Sequence, residues 1–494
     1  MDIDSPGAGV MLGGAGFFGR REILTGVSEI TRDNLIMVLS EAVAIHNFNA
    51  MQIDYLYRYM RGDQPILRRH KDIRPEINNK IVENHAAEIA RFTSAYFLGE
   101  PVTYVRRGDR ETASDDINLL NEYMFFEDKS SRDMEMATWM AICGVGYRMV
   151  LPDREALDEP DYAPFEIDTP DPRNTFVVYS SGFGHKRMMA VRMIWRQRSD
   201  GTSFEIVYCG YTRTHYFEVR EATEVIKWEP HSLREIPIFE YRLNMERLGS
   251  FEPALPLLDA INTVQSNRVD GLEQYVQSFL KFINCDVDTE QIDELKRMGA
   301  IVIKSHNGMI ADVQIVSQEL NQQQTQTLVD YLYDQVLVIC GMPTTTKGGR
   351  STSDTGQAVL LRDGWTQCEA RARDTEQLFK QSEKEFLRLV LRIMRETRTS
   401  DLNLGEVECK FTRRQHDNLQ SKTQSLIQML QAGLAPEVAI ATCGLFNDPM
   451  DVTKRSAEYL EKWKPVDISE LTADEPEIES EATNTPESEG VATE

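Results

Sequence analysis

The stretch from Gly341 to Ser353, GMPTTTKGGRSTS, places two cations, Lys347 and Arg350, among hydroxyls and a glycine pair. Cations meet phosphates through charge, and hydroxyls through hydrogen bonds to phosphate oxygens. A Walker A loop needs G-x-x-x-x-G-K-[ST] after a strand. Here Lys347 precedes the glycines and the residues before the stretch read as helix, so phosphate hydrolysis is not expected. Two readings stay open: a plain linker, and a loop that touches nucleic acid without holding it.

Other candidate chemistry is thin. The GxG at Gly7–Gly9 follows no strand pattern, so it does not read as a dinucleotide fingerprint. The tripeptides Arg61-Gly62-Asp63 and Arg107-Gly108-Asp109 read as turns. Histidines 46, 70, 85, 185, 215, 231, 306 and 416 lie far apart, and neither HExxH nor GxSxG occurs. Asp115-Asp116 could hold a metal for nuclease work, but paired acids on a surface loop are far commoner. The cysteines, at 143, 209, 285, 340, 368, 409 and 443, form no CxxC and read as free thiols. No catalytic residue, metal or cofactor is expected.

The elements that must position the opening stretch can be read from periodicity. Residues 1–30 are glycine-rich and are expected to be flexible. Helical patterns cover residues 31–60, 76–97 and 114–145, with VTYVR at 102–106 as a strand. From 146 to 238 the pattern is β-rich: YRMVL, FEID, TFVVY, MMAVRMIW, SFEIVYCGY, HYFEV and EVIKW. Residues 251–283 read as one amphipathic helix of about 45 Å. Its polar face carries Asp259, Thr263, Ser266, Asp270, Glu273 and Gln277. A small α/β insert follows at 284–319, with strands AIVIK and MIADVQIV flanking His306-Asn307-Gly308, a hairpin signal. Helix returns at 320–342, so two rods bracket a knob, and the opening stretch comes directly after the return. A further long helix starts near Ser353 or Asp354 and runs to Glu396, a strand lies near 406–413, and helix resumes over 418–463.

Composition limits the partners. Of 494 residues 41% are hydrophobic and 27% charged, ordinary for a soluble protein, and no apolar run reaches the length of a membrane span. The start, MDIDSPGAGVM, has acids where a signal peptide has cations, so export is not expected. Net charge is −25, and the tail 466–494 is acidic and expected to be disordered. Such a chain is a poor candidate for tight duplex binding, because that affinity comes mostly from cations meeting phosphates.

Five segments in order resemble the portal proteins of tailed double-stranded DNA bacteriophages: YRYMRGDQPILRR (57–69), NNKIVENHAAEIARFTSAYFLGEPVTY (78–104), NTFVVYSSGFGHKRMMAVRMIW (174–195), IPIFEYRLNMERLGSFEPALPLLDAIN (236–262) and STSDTGQAVLLR (351–362). Each is weak alone, and the ordered set is specific. Asp354-Thr355-Gly356 departs from the family's usual Ser-Gly, and residues 1–30 and the acidic tail match nothing in it.

The resemblance implies an α+β, mostly helical subunit of a dodecameric ring around an axial tunnel. It assigns a wing to 31–250 and 357–417, stem helices to 251–283 and 320–342, a clip to 284–319, a tunnel loop to 343–356 and a crown to 418–465. Thr344, Thr345, Thr346, Lys347, Gly348, Gly349, Arg350 and Ser351 would face DNA. Asp270, Glu273 and Gln277 would line the tunnel along the stem, with a solvent-facing role as the alternative. The implied partners are double-stranded DNA, the terminase large subunit, the major capsid protein, scaffolding protein and a head–tail adaptor, with no membrane. The implied location is the virion, after assembly in the host cytoplasm. Two other classes remain: a ring-forming tail or baseplate component, and a metal-dependent nuclease.

Overall fold

The computed structural model describes residues 19–457 apart from 73, 108–112, 154–161, 199–200, 202, 277–278, 284–311, 317–321, 345–364, 398, 412–418 and 447–451. The chain divides into two compact units, Met1–His416 and Asp417–Glu494.

The first unit is mixed α+β. It runs β1 (Ile23–Thr25), α1 (Leu35–Met60), α2 (His85–Leu98), β2 (Thr103–Arg106), α3 (Ala113–Phe126), α4 (Lys129–Cys143), β3 (Val145–Pro152), β4 (Phe165–Asp168), β5 (Thr175–Ser180), β6 (Arg187–Gln197), β7 (Phe204–Thr212), β8 (His215–Arg220), β9 (Glu224–Pro230) and β10 (Ile238–Arg242). Then come α5 (Leu255–Val276), β11 (Phe279–Ile283), β12 (Asp312–Val316), α6 (Gln322–Cys340), α7 (Trp365–Glu396) and β13 (Val407–Lys410). The second unit contains α8 (Leu419–Gln431) and α9 (Pro436–Cys443), which pack on each other.

The β-rich stretch folds as its alternation predicts. A six-stranded sheet has the order β1-β5-β6-β7-β8-β9, and every pairing is antiparallel except β1 with β5. Phe176, Val178, Met189, Val191, Phe217 and Val219 form its apolar face, and α1 covers that face with Leu35, Val38, Leu39 and Ala42. A second sheet has the order β10-β3-β4, and β2 pairs with β13 across about 300 residues of chain.

Several expected elements differ. Within the terminus expected to be flexible, the described residues 19–30 pack on the body: β1 adds a strand to the sheet, and Arg20 is buried against Glu252 at 2.5 Å. The helix expected over 114–145 is two, broken where Asp128 takes a left-handed conformation. The helix expected from 76 begins only at His85, because residues 79–83 are extended along α5. The helix expected over 251–283 stops at Val276, and Phe279–Ile283 is a strand paired with Asp312–Val316. A ladder partner some thirty residues onward overrides the local period there. AIVIK and the His306-Asn307-Gly308 signal lie outside the described residues.

α7 is fixed to this body through one buried carboxylate. Glu383 accepts hydrogen bonds from Arg148 at 2.7 Å and from the Tyr241 hydroxyl at 2.6 Å. The Tyr104 hydroxyl also donates to it, and Lys129 lies 3.2 Å away. Asp133 pairs with both Lys129 and Arg148, so two cations meet two anions. Burial pushes the Glu383 carboxyl up, but Arg148 first, then Lys129 and the two tyrosines, hold it down to about 2. Phe379, Phe386 and Val390 pack around the cluster.

Glu383→Ala leaves the buried cations Arg148 and Lys129 with Asp133 as their one carboxylate, and is expected to lower unfolding free energy by about 3–5 kcal/mol in denaturant titrations. Because the folded carboxyl titrates below its unfolded value, this contribution is full above pH 4.5 and lost as pH falls toward 2. Wild-type stability is therefore expected to fall over that window more steeply than that of Glu383→Gln.

Candidate functional site

The residues singled out by sequence converge on the α5/α6 hairpin and the exit from α6. The chain enters α5 through a threaded segment. Ser250 donates through both its N–H and its hydroxyl to the Ala141 carbonyl, and Glu252 caps Gly249 N–H while accepting from Arg20. Gly144, at φ +81°, passes so close to Arg247 that a Cβ would lie 2.2 Å from its carbonyl oxygen. Arg247 is itself held by Glu240 at 2.6 Å and Glu22 at 3.1 Å.

The polar stripe of α5 holds backbone. Asn262, Ser266 and Asp270 stand four residues apart, and their side chains accept from the N–H groups of Glu83 (2.8 Å), Ile81 (3.0 Å) and Asn79 (2.8 Å). The spacing matches: four helical residues rise about 6 Å and two extended residues about 6.6 Å. A helix thereby acts as the pairing partner of an extended strap. Asp270 also accepts from Lys71 and from the Asn79 side chain, and pairs with Arg69 at 3.0 Å. Burial works to raise its carboxyl, but the bonds from Lys71 and Asn79 hold it below the usual carboxylate range. At one end of the stripe Asp259 accepts from the Tyr59 hydroxyl at 2.9 Å.

The site residues are placed as follows. Asp270 is 3% exposed and committed to the strap. Glu273 is exposed near the end of α5. The side chain of Gln277 lies outside the described residues, as do Thr345, Thr346, Lys347, Gly348, Gly349, Arg350 and Ser351. Thr344 is 6% exposed and follows a helix stop. Gly341 takes φ +69°, its N–H donates to Val338 O, and Met342 N–H donates back to Leu337 O at 2.9 Å. This reversed cap buries Met342, and the Arg371 side chain of α7 lies flat over Gly341. The first four residues of GMPTTTKGGRSTS are thus an anchored helix end. A cavity of about 590 Å³ opens beside it, lined by Tyr96, Met245, Cys340, Met342, Arg371 and Thr375 among others.

Charge along the hairpin is lopsided. α5 carries Asp259, Asp270 and Glu273 against Arg268, and α6 carries Asp330 and Asp334 with no cation. Among the described residues no group of three His, Cys, Asp or Glu side chains is placed to hold a metal. Asp115 and Asp116 open α3. No described helix is long and apolar enough to cross a membrane. The strap was missed by sequence reasoning. Its signal was the four-residue spacing of Asn262, Ser266 and Asp270 opposite an asparagine-led segment.

The chain matches the family described as "Phage portal protein, SPP1 Gp6-like" over residues 40–465. No curated protein matches it. One solved structure, "Neck of empty GTA particle computed with C6 symmetry", aligns at 12% identity over 73% of this chain and 90% of that one, with a TM-score of 0.41.

Asp270→Ala strips the strap of its carboxylate and leaves Lys71 and Arg69 without it. Losing such a charged acceptor costs about 1–3 kcal/mol. Trypsin is then expected to cut at Arg69, Lys71, Arg74 or Lys80 roughly tenfold faster than in wild type, read by mass spectrometry of early fragments. Gly341→Ala is expected to destabilise the chain by about 1–2 kcal/mol, since it forces alanine into a left-handed position and displaces Arg371.

Proposed function

The chain belongs to the phage portal protein family, and from that premise we propose that it is one subunit of a ring conducting double-stranded DNA at a single vertex of a viral head. The carrying observation is the family match across residues 40–465. In this reading the ring is dodecameric and sits in the virion after assembly in the host cytoplasm. It nucleates the procapsid with scaffolding and major capsid proteins, docks the terminase large subunit during packaging, and later receives the head–tail adaptor. ATP turnover belongs to the terminase.

The parts follow the chain. Residues 31–250 and 357–417 serve as wing, α5 and α6 as stem, 284–319 as clip, and 418–465 as crown. The loop beyond Thr344 serves as the tunnel loop, with Lys347 and Arg350 as its DNA-centring cations.

The charge of the hairpin supports a conducting role. Each cation that meets a phosphate adds favourable free energy, and a basic wall repeated around a ring would trap the duplex. α5 and α6 together offer only Arg268, and Arg268 donates to Gln326. Carboxylates and glutamines along a wall keep affinity low and the path even. With Asp270 committed to the strap, Glu273 is the described α5 residue left for that wall.

Electron microscopy of the purified chain, with mass measured on the same sample, tests the reading. Rings of about twelve subunits with an axial hole near the width of duplex DNA are expected. A monomer or dimer in every buffer and salt would overturn it. Replacing Lys347 and Arg350 with Ala is expected to leave ring assembly intact and to change the yield or length of packaged DNA. Unchanged packaging would remove those two residues from the path.

A further inference from the structure

His85 opens α2 between two carboxylates. Its Nε2 lies 3.3 Å from Glu83 Oε2, and its Nδ1 lies 3.0 Å from Glu88 Oε2. The imidazole also lies against the Tyr333 ring of α6, with centroids 4.4 Å apart. The Tyr333 hydroxyl donates to the other oxygen of Glu88 at 2.9 Å, and burial and Glu88 push that hydroxyl above its usual range, so it stays a donor. Glu83 is tied to the other leg of the hairpin: its N–H donates to Asn262 and its Oε1 accepts from Gln265, both on α5. One chain of contacts therefore runs from α5 through Glu83, His85 and Glu88 to α6, and closes both legs onto the body.

The chemistry of the ring decides how that chain holds. A neutral imidazole has one N–H, and its other nitrogen presents a lone pair. Here each nitrogen faces a carboxylate oxygen, so only the doubly protonated ring donates to both. The titratable groups around it are Glu83 and Glu88 on its own segment and Tyr333 on α6, where Asp334 follows. α5 contributes the neutral Gln265.

We propose that His85 is a protonation-dependent clasp, which joins both legs of the hairpin to the body when charged and gives up one of its two bonds when neutral. His85 is a positioning residue, and α6 reaches the clasp through Glu88 and through the face of the imidazole, which attracts the Tyr333 ring more strongly when charged. The clasp stands on this geometry alone. Only its consequence, a channel wall whose seating responds to pH, rests on the portal reading. Failure of the test below would leave that reading untouched.

Amide hydrogen exchange by mass spectrometry on the full chain tests the clasp in wild type, His85→Gln and Glu88→Gln. It is run at about pH 5.5 and about pH 8.5, either side of the histidine range. The variant-to-wild-type ratio at each pH cancels the intrinsic pH dependence of exchange. The three side chains are partly exposed, so an effect of about two- to fivefold is expected. Residues 329–340 are expected to exchange faster by that factor in both variants at the acid pH, and equally at the alkaline pH. Equal ratios at both pH values would reduce His85 to packing and overturn the clasp, as would no change at either. Protection over residues 129–152 reports whether a variant is folded. Should either variant lose it, wild type decides. Added salt should speed exchange of 329–340 at the acid pH only, and its failure to do so would overturn the clasp.

Discussion

Glu383 has no exposed side-chain surface, and donors from four separate elements meet on it: Arg148 of β3, Tyr241 of β10, Tyr104 of β2 and Lys129 of α4. A carboxylate buried without partners costs several kcal/mol, so α7 has one seat in which this charge is tolerated. Sliding α7 by one turn, about 5.4 Å, would strip all four donors at once. The cluster thus pins the register of a 32-residue helix whose apolar face alone could accept several positions. Both sides of the body depend on that register. Val390, Leu391 and Met394 fill the core under β2 and β13, and Arg371 at the other end lies over the exit from α6.

A second buried set fixes the entrance to the hairpin. Arg20, Glu252, Arg247, Glu240 and Glu22 pair within a short span, and Gly144 admits the segment that leads to α5. The strap then runs back along α5, held by side chains in place of a neighbouring strand. Entrance and flank are therefore each specified mainly by buried polar groups, Glu252, Arg20 and Asp270 among them. Apolar contact says how much surface is covered, whereas hydrogen bonds say which residue meets which.

The same economy bears on the proposed channel. Charges that would hold DNA are already engaged: Arg69 and Lys71 by Asp270, Arg268 by Gln326. The polar side chains on the exposed positions of the described hairpin are glutamine, asparagine, threonine, aspartate, glutamate and tyrosine, which bind phosphate weakly or repel it, with Leu272, Leu328 and Ile339 among them. A conducting wall needs that weakness as much as it needs its shape.

Local pattern was enough for much of this protein. Alternation from residue 146 to 238 specified the strands, because one face of the sheet is covered and each side chain must choose a side. Periods of three and four gave α1, α6 and the body of α5 and α7, and the ordered motifs gave the family. Tertiary structure decided the rest. Phe279–Ile283 became a strand because its ladder partner lies at 312–316, and residues 79–83 stayed extended because Asn262, Ser266 and Asp270 accept their N–H groups. Asp270 read as a free polar residue because nothing within a few residues of it reveals Arg69, Lys71 and the strap that bury it. A period reports which face of an element is covered. It carries no information about which distant polar group will complete a buried bond, and in this protein those bonds place the hairpin.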